Sequence, residues 1–553
     1  MIRFTIKKED IFMKKILALV LCLCMALAVV PALAADLLPA GDTYPLNSDK
    51  TITWYSQDSH FLHSDFSDWR ESPFHVNLSK QVGVNIEWVL PTTGSDGGVF
   101  TNTLMADPDH LPNILDAYFM NNATQYLDDE IIWDLTPYLE EYAPAYWALL
   151  HSNPAYDKAM KTDDGRYYAF GFFREDGGWN DSYQGPVVRK DWLDEFGLEI
   201  PKTISEFENV MRVFKEKYGS LFTGSFGNRF SQCGFSGAFG AYGNVNAGYL
   251  FEVKDGKVLL AQSTDEYRNW LRWFSGIYKE GLVDTDLQTV DDTTVQPKVE
   301  GGLSGIAITS MGQMNLWNNH MEAQGLGRPW IGIPYPTDDE GNLFSIFGGS
   351  GIGSITGSIA KTTTDEETMK LCLQVLDYAY TQEGFLFWNY GVEGDSWYMN
   401  EETGLPAWTD LVAKDTSNDP MIKYNGTTWS GSCIQATNLL YLKNSQGSID
   451  ANDAWFYLGM GRDTDQMDKV LEVTSSHKWP TGVTFTTEES DELDLYTANL
   501  GTYVVEQCTA FLLGNKDVND DAAWDAYIKG LDQYHIDRVL ALRQACYDRY
   551  LSR

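Results

Sequence analysis

The chain is short of the residues from which most catalytic and metal centres are built. Its 553 residues include 8 histidines and 7 cysteines. Cys22 and Cys24 fall inside an apolar N-terminal run, while Cys233, Cys372, Cys433, Cys508 and Cys546 are widely spaced and odd in number. That pattern has neither zinc-ligand spacing nor the density of a disulfide framework, so buried free thiols are expected. Positive charge is equally scarce: 40 Lys and Arg stand against 78 Asp and Glu, a net charge of −38. Such a field repels phosphate backbones and anionic headgroups, which argues against nucleic acids and membrane surfaces as partners. No G-x-S-x-G elbow, H-E-x-x-H pair or internal repeat is present. Behind the N-terminal run no segment approaches twenty uninterrupted apolar residues, so direct membrane insertion is not expected.

Weak metal patterns exist and are set aside. His60 and His63, with Asp58, Asp65 and distant His75, lie in a polar stretch that reads as solvated. Asp517, Asn519 and Asp521 begin like a calcium loop but lack the sixth-position glycine, and Ile528 stands where the bidentate Glu belongs. A helix N-cap before Trp524 is the better reading. Gly348 to Gly353 meets no phase of a dinucleotide fingerprint. No metal and no cofactor are expected.

What is present begins with an export signal. Lys14 and Lys15 precede the apolar run Ile16–Val30, and Ala32 and Ala34 give a small-x-small cleavage pattern, so residues 1–34 are read as a signal peptide. The remainder is too long for one ordinary core, and two lobes are expected. Thr51–Tyr55, Val84–Val89 and Asn113–Tyr118 read as strands, with a helix over Phe74–Gln81 between the first two. Val187 and Val188 form another short strand. Gly197 is placed to stop a one-turn helix, and Thr203 with Glu206 makes a capping box before Phe207, Val210, Met211 and Phe214. Further capping boxes are read at Ser263 with Glu266 and at Thr364 with Glu367, the latter opening a helix that ends near Gly384. Phe251–Val258 reads as a hairpin turning at Asp255 and Gly256. Strands alternating with helices imply α/β lobes.

The ordered series from Ile132 through Thr136 and Pro144, Thr162 to Phe170, Gly185 to Phe207, Phe251 to Glu266, Asn389 to Trp397 and the helices from Trp524 to Tyr550 resembles the extracellular solute-binding proteins of ABC importers, family 1, in their lipoprotein-like, oligosaccharide-binding branch. The resemblance implies a type II periplasmic-binding-protein-like fold, each lobe a mostly parallel sheet flanked by helices, with a ligand cleft between lobes. It divides the chain into a linker over 35–49, a first lobe over 50–170 and 347–410, and a second lobe over 171–346 and 411–553. It implies no catalysis: a monomeric, secreted or extracytoplasmic receptor would close on a small ligand, an oligosaccharide, and deliver it to ABC transporter permease subunits. Relatives often carry a lipid-modified cysteine at the cleavage point, where this chain has Ala35. The rival reading is a secreted carbohydrate-processing enzyme using a carboxylate pair in an aromatic cleft.

Aromatic residues are the positive signal, with 18 Trp, 30 Tyr and 27 Phe. Sugar rings stack their C–H faces on aromatic planes while acidic, amide and guanidinium groups take the hydroxyls. Aromatics next to the carboxyl ends of strands are therefore the candidates, because open sheets bind ligands there. The ligand-binding set is Trp54, Tyr55, Asp116, Trp179, Arg189, Trp330, Glu393 and Trp397. Glu393 and Trp397 share a glycine turn that serves either a sugar or the local structure. Arg189 either grips ligand or pairs with Asp191 or Asp194. Arg174, Arg189 and Arg328 are the cations that an acidic sugar would need.

Overall fold

The computed structural model describes residues 37–56, 66, 68–91, 97–116, 122–174, 184–224, 235–241, 251–286, 292–344, 351–401, 405–415, 423–427, 430–435 and 477–553. Its strands, in chain order, begin with β1 (Thr51–Ser56), β2 (Asn85–Val89), β3 (Ile114–Asp116), β4 (Phe170–Arg174) and β5 (Gln184–Arg189). Next come β6 (Thr223–Gly224), β7 (Phe251–Lys254), β8 (Lys257–Leu260), β9 (Ile306–Ser310) and β10 (Trp330–Gly332). The last are β11 (Ile352–Ile359), β12 (Trp397–Asn400), β13 (Leu405–Trp408) and β14 (Ile434–Gln435).

Two sheets organise two cores. The first runs β14-β4-β11-β3-β1-β2. Only β11 is antiparallel to its neighbours, so Ser56, Val89, Asp116, Arg174 and Gln435 all end on one edge. β1 lies inside this sheet with helices on both faces, which is why successive residues Trp54, Tyr55 and Ser56 are all buried. The helix Pro73–Val82 is capped by Ser72 and stopped by Gly83 at φ 70°, laying Phe74, Leu78 and Val82 on the same core. Residues 37–49 are packed rather than loose: Leu37 and Ala40 join the first core, and the Ala40 amide donates to Glu383 at 2.6 Å.

The second sheet runs β10-β5-β9-β6. Here β5 is antiparallel to both neighbours, and only β6 with β9 is a parallel pair. Val188 enters the core of Phe207, Met211, Trp270 and Phe274, while Val187 faces Trp317 and Trp330 on the opposite side, as a period of two requires. The helices Leu500–Leu512, Asp521–Gly530 and Ile536–Ser552 close the larger of these cores.

Sheet membership moves the crossovers from their expected places. β4 belongs wholly to the first sheet, so the passage to the second lobe follows Arg174 rather than Phe170. β14 returns to the first sheet, so residues 434–435 leave the segment assigned to the second lobe. Sequence grammar otherwise held at Gly197 (φ 62°), at the Thr203–Glu206 capping box and at the Asp255–Gly256 turn, both of whose φ angles are positive. Elsewhere it slipped by one residue. Thr264, not Ser263, accepts from Tyr267 N at 3.3 Å, and Asp365, not Thr364, accepts from Glu367 N at 3.2 Å. The helix expected to end near Gly384 ends at Asp377, and Thr381 caps a new one, Gln382–Tyr390. Gly384 lies inside it because a Cβ there would stand 1.7 Å from the Tyr378 carbonyl oxygen.

Candidate functional site

Residues 175–183 join the carboxyl end of β4 to the amino end of β5, and residues 345–350 lead back to the start of β11. The carboxyl edge of the first sheet therefore faces the side on which the chain passes between lobes. In the second sheet the matching edge holds Gln184, Ser310 and Gly332.

Asp116 is the centre of the first-lobe edge. Its carboxylate accepts from the Gly431 amide at 3.2 Å and from the hydroxyls of Ser430 and Thr356. Ser432 lies 3.4 Å from the Thr356 hydroxyl, and Ser56, Ser354 and Ser358 are buried nearby on the same strands. Burial pushes the Asp116 carboxyl up to about 6, and the three donors hold it from rising further. Two glycines let the turn approach: a Cβ on Gly357 would stand 2.1 Å from Ser432 Oγ, and one on Gly431 would stand 2.8 Å from Thr356 Oγ1. Asp116 is thus a buried tie between β3, β11 and the turn before β14. Its partners were invisible to motif reading; their signal is the run of small polar residues in β11 and at Ser430–Ser432, odd in a core strand.

Trp54 and Tyr55 lie in the core of the first lobe. Trp54 packs on Trp88 with centroids 5.1 Å apart, and Tyr55 packs on Phe100 at 5.7 Å with its hydroxyl bonded to Thr101. Trp179 lies outside the described residues, as do His60, His63 and Cys233. Arg189 and Trp330 are opposite each other in register, on the far edge of the second sheet. The expectation that Arg189 faces the cleft assumed a parallel β5. Because β5 is antiparallel to both neighbours, its carboxyl end points away. There Arg189 makes a bidentate pair with Asp191, Nε to Oδ1 at 2.8 Å, and lies 4.5 Å over the Trp192 ring. Trp330 is enclosed by Trp317, and its backbone is held both ways by the Asn318 side chain at 2.9 and 3.0 Å. Arg328, near the same far edge, bonds Asn319 and Glu322.

Glu393 is exposed and Trp397 is buried. Trp397 belongs to a small core with Tyr390, Trp408, Val412 and Tyr424, and its Nε1 donates to the Gly391 carbonyl at 3.0 Å. Tyr424 of that core is followed in the chain by the turn that reaches Asp116. From Tyr424 the chain passes Gly426, where a Cβ would stand 2.3 Å from Phe74, and reaches Ser430 beside Asp116. Arg174, at the end of β4, stacks on Phe172 at 5.0 Å.

His75 and four cysteines are titratable groups held inside the two cores. His75, within the first core, is held neutral by burial, its pKa pushed down to about 3, with Nδ1 2.7 Å from the Trp69 carbonyl. Cys372, Cys433, Cys508 and Cys546 are buried free thiols. Among the described residues no group of acidic, His and Cys side chains is arranged to hold a metal ion, and no helix is long and apolar enough to cross a membrane.

The sequence profile of the bacterial extracellular solute-binding proteins matches residues 80–384. The fructooligosaccharide ABC transporter substrate-binding protein FusA of Streptococcus pneumoniae is 23% identical over 535 residues, 92% of each chain. The polygalacturonan/rhamnogalacturonan-binding protein YtcQ of Bacillus subtilis is 25% identical over 51% of this chain and 56% of its own. Among solved structures, the alginate-binding protein AlgQ2 without calcium ion has a TM-score of 0.69 at 21% identity, over 91% of this chain and 99% of that one. FusA in complex with kestose has a TM-score of 0.68 at 20% identity, over 91% of this chain and all (100%) of that one. The fold they share is the two-lobed type II periplasmic-binding-protein-like arrangement seen here. With the profile spanning more than half its length, the chain belongs to the bacterial extracellular solute-binding proteins.

Proposed function

We propose that the protein captures an oligosaccharide between its lobes and delivers it to the permease subunits of an ABC importer. The observation that carries this reading is a match running over 92% of both chains to a relative named for fructooligosaccharides. Chemistry at the site edge supports it. Thr356, Ser430, Ser432 and Asp116 gather hydroxyls and a carboxylate at the ends of strands, the kinds of donor and acceptor that a ligand rich in hydroxyls pairs with. An uncharged sugar fits better than a polyuronate. Arg189 is committed to Asp191 and Arg328 to Asn319 and Glu322, both at the far edge of the second sheet, while Asp116 adds a carboxylate to this edge. The protein acts by binding and by closure of its lobes about the crossovers between them, as a monomer released by cleavage after Ala34.

Calorimetric titration with kestose, nystose, galacturonate oligomers and alginate oligomers tests the reading. Saturable binding of a neutral oligosaccharide, with contraction of the particle in X-ray scattering, is expected. Absence of binding across a wide glycan panel refutes it. Catalytic release of shorter sugars on prolonged incubation would instead assign the cleft to an enzyme.

A further inference from the structure

We propose that Asp163, Arg549 and Arg553 are positioning residues that pin the two lobes together and set the axis about which they close. This rests on the closing-receptor reading above, but its geometry stands on other residues.

The helix Pro154–Ala159 belongs to the first lobe, where Tyr156 packs on Phe173 at 4.6 Å. Residues 480–486 belong to the second, with Val483 and Phe485 in its core and Thr486 capping the helix Thr487–Thr497. The two segments touch at Gly482, whose φ is +97° and whose Cβ, if present, would stand 2.2 Å from the Ala159 carbonyl oxygen. No side chain fits between them.

Arg553 is driven into this junction, its side chain 7% exposed. Nε donates to Asp163 Oδ1 at 2.8 Å, and Nη2 donates to the Thr484 hydroxyl at 2.7 Å. Nη1 donates to the carbonyls of Gly482 at 2.9 Å, Lys158 at 3.3 Å and Lys161. One guanidinium therefore binds backbone from both lobes at once. Its charge lies by the carbonyl end of the helix Pro154–Ala159, where a cation is favoured.

Arg549, one helical turn earlier, takes the other oxygen of the same carboxylate, Nε to Asp163 Oδ2 at 2.8 Å. Its Nη1 donates to Glu489 Oε1 at 2.7 Å. Glu489 closes the capping box by accepting from Thr486 N at 3.0 Å, so the start of that helix is tied to the same network. Lys158 adds a bond to the Leu551 carbonyl at 3.2 Å and lies 4.6 Å over the Tyr550 ring. Among the described residues Asp163 is the first-lobe carboxylate that serves both Arg549 of the last helix and Arg553 at its end.

The clasp lies off the amino end of β4, beside the Lys161–Tyr167 bridge, whereas Arg174 marks the carboxyl end at the ligand edge. The strand between them spans about 13 Å. A pin held off the amino end of β4, away from the passage between the lobes after Arg174, stays nearly fixed while the lobes turn about it. An arginine fork, flat and always charged, can hold such a joint without changing partners.

The test uses the mature, ligand-free protein and the substitutions Asp163→Asn, Arg553→Gln and Arg553→Lys. Hydrogen exchange by mass spectrometry follows 158–166 and 480–486 together with β1 and β5, and X-ray scattering reports the spread of the lobes. We expect Asp163→Asn and Arg553→Gln to speed exchange at both junction segments by tenfold or more, leave β1 and β5 protected, and enlarge the particle. Arg553→Lys should give a smaller effect of the same kind. Loosening of one segment alone, or unchanged scattering with the junction loosened, overturns the pin and leaves a local staple. Should Asp163→Asn unfold the protein, the two Arg553 variants decide alone. Adding kestose to the parent protein is a separate arm: failure to contract with any glycan of the panel counts against the receptor reading, whereas normal contraction in variants with unchanged ligand-free scattering counts against the pin.

Discussion

Replacing Asp116 by Asn removes a charge from the carboxyl edge of the first sheet while keeping the shape of the side chain. The carboxyl is buried, 3% exposed, with its pKa raised from 3.8 to about 6 by desolvation against three donors. A raised acid favours folding when protonated, so its contribution is full below the unfolded pKa and is lost as pH rises through the folded one. With 3.8 for the unfolded chain and about 6 for the folded one, ionisation costs the native state about 3 kcal/mol at pH 7.5 and about 1 kcal/mol at pH 4.5. The parent protein should therefore gain about 2 kcal/mol relative to Asp116→Asn on going from pH 7.5 to 4.5.

Urea unfolding of the first lobe, followed by tryptophan fluorescence at both pH values in both proteins, gives this double difference directly. The other displaced groups, His75, Asp377 and Glu252, are common to both proteins and cancel. A double difference below about 0.5 kcal/mol would mean that the carboxyl ionises as freely in the fold as in the open chain, and the tie to Ser430, Thr356 and Gly431 would have to be redrawn.

Four further outcomes follow from the same geometry. Trp397→Ala should destabilise the unliganded protein by about 3–5 kcal/mol, read as a fall in melting temperature, because it empties the small core of Tyr390 and Trp408; an unchanged melting temperature with weakened sugar binding would return Trp397 to the ligand. Arg189→Lys keeps the charge but loses the fork to Asp191 and the stack on Trp192, so stability should fall by about 1 kcal/mol with ligand affinity unchanged; a selective loss of affinity in titration would contradict its far-edge position. Gly305→Ala would drive a methyl to within 2.2 Å of the Trp192 ring and should cost about 1–3 kcal/mol in chemical denaturation. His75, its folded pKa pushed down to about 3, should make the protein lose about 2 kcal/mol between pH 7.5 and 5, a slope that flattens in His75→Gln when unfolding is measured across that range.

The parts legible in the sequence are those whose cause is local. Thr203 and Glu206 close their capping box within one turn, and Gly197 and Gly256 adopt φ angles of 62° and 75° that their neighbours demand, so residue type alone was enough. Where two local solutions compete, sequence errs by one position. The Thr264 hydroxyl and the Asp365 carboxylate outreach Ser263 and Thr364, and only the backbone path decides between them. The family resemblance gave the two lobes, but the side chains it nominated depend on strand direction, which a short apolar run does not encode. Val187 and Val188 read equally well as a parallel or an antiparallel strand. Since β5 is antiparallel, Arg189 and Trp330 move to the edge away from the cleft.

Asp116 shows the converse. Its neighbours in the site come from residues 356 and 430–432, hundreds of positions later, and nothing near Asp116 in the chain hints at them. What joins them is the insertion of β11 antiparallel between β3 and β4 and the return of β14 beside β4, two long-range pairings that bring a serine turn against a buried carboxylate. The same logic holds for the aromatic candidates. Trp54 and Tyr55 sit near the end of a strand, as the ligand rule asks, yet β1 has a neighbour on each side and helices over both faces, so the core claims both rings. Position along a strand marks the edge that binds; position across the sheet decides whether a side chain on that edge reaches the cleft. Both need the fold: strand direction sets the edge on which Arg189 lies, and position across the sheet takes Trp54 and Tyr55 into the core.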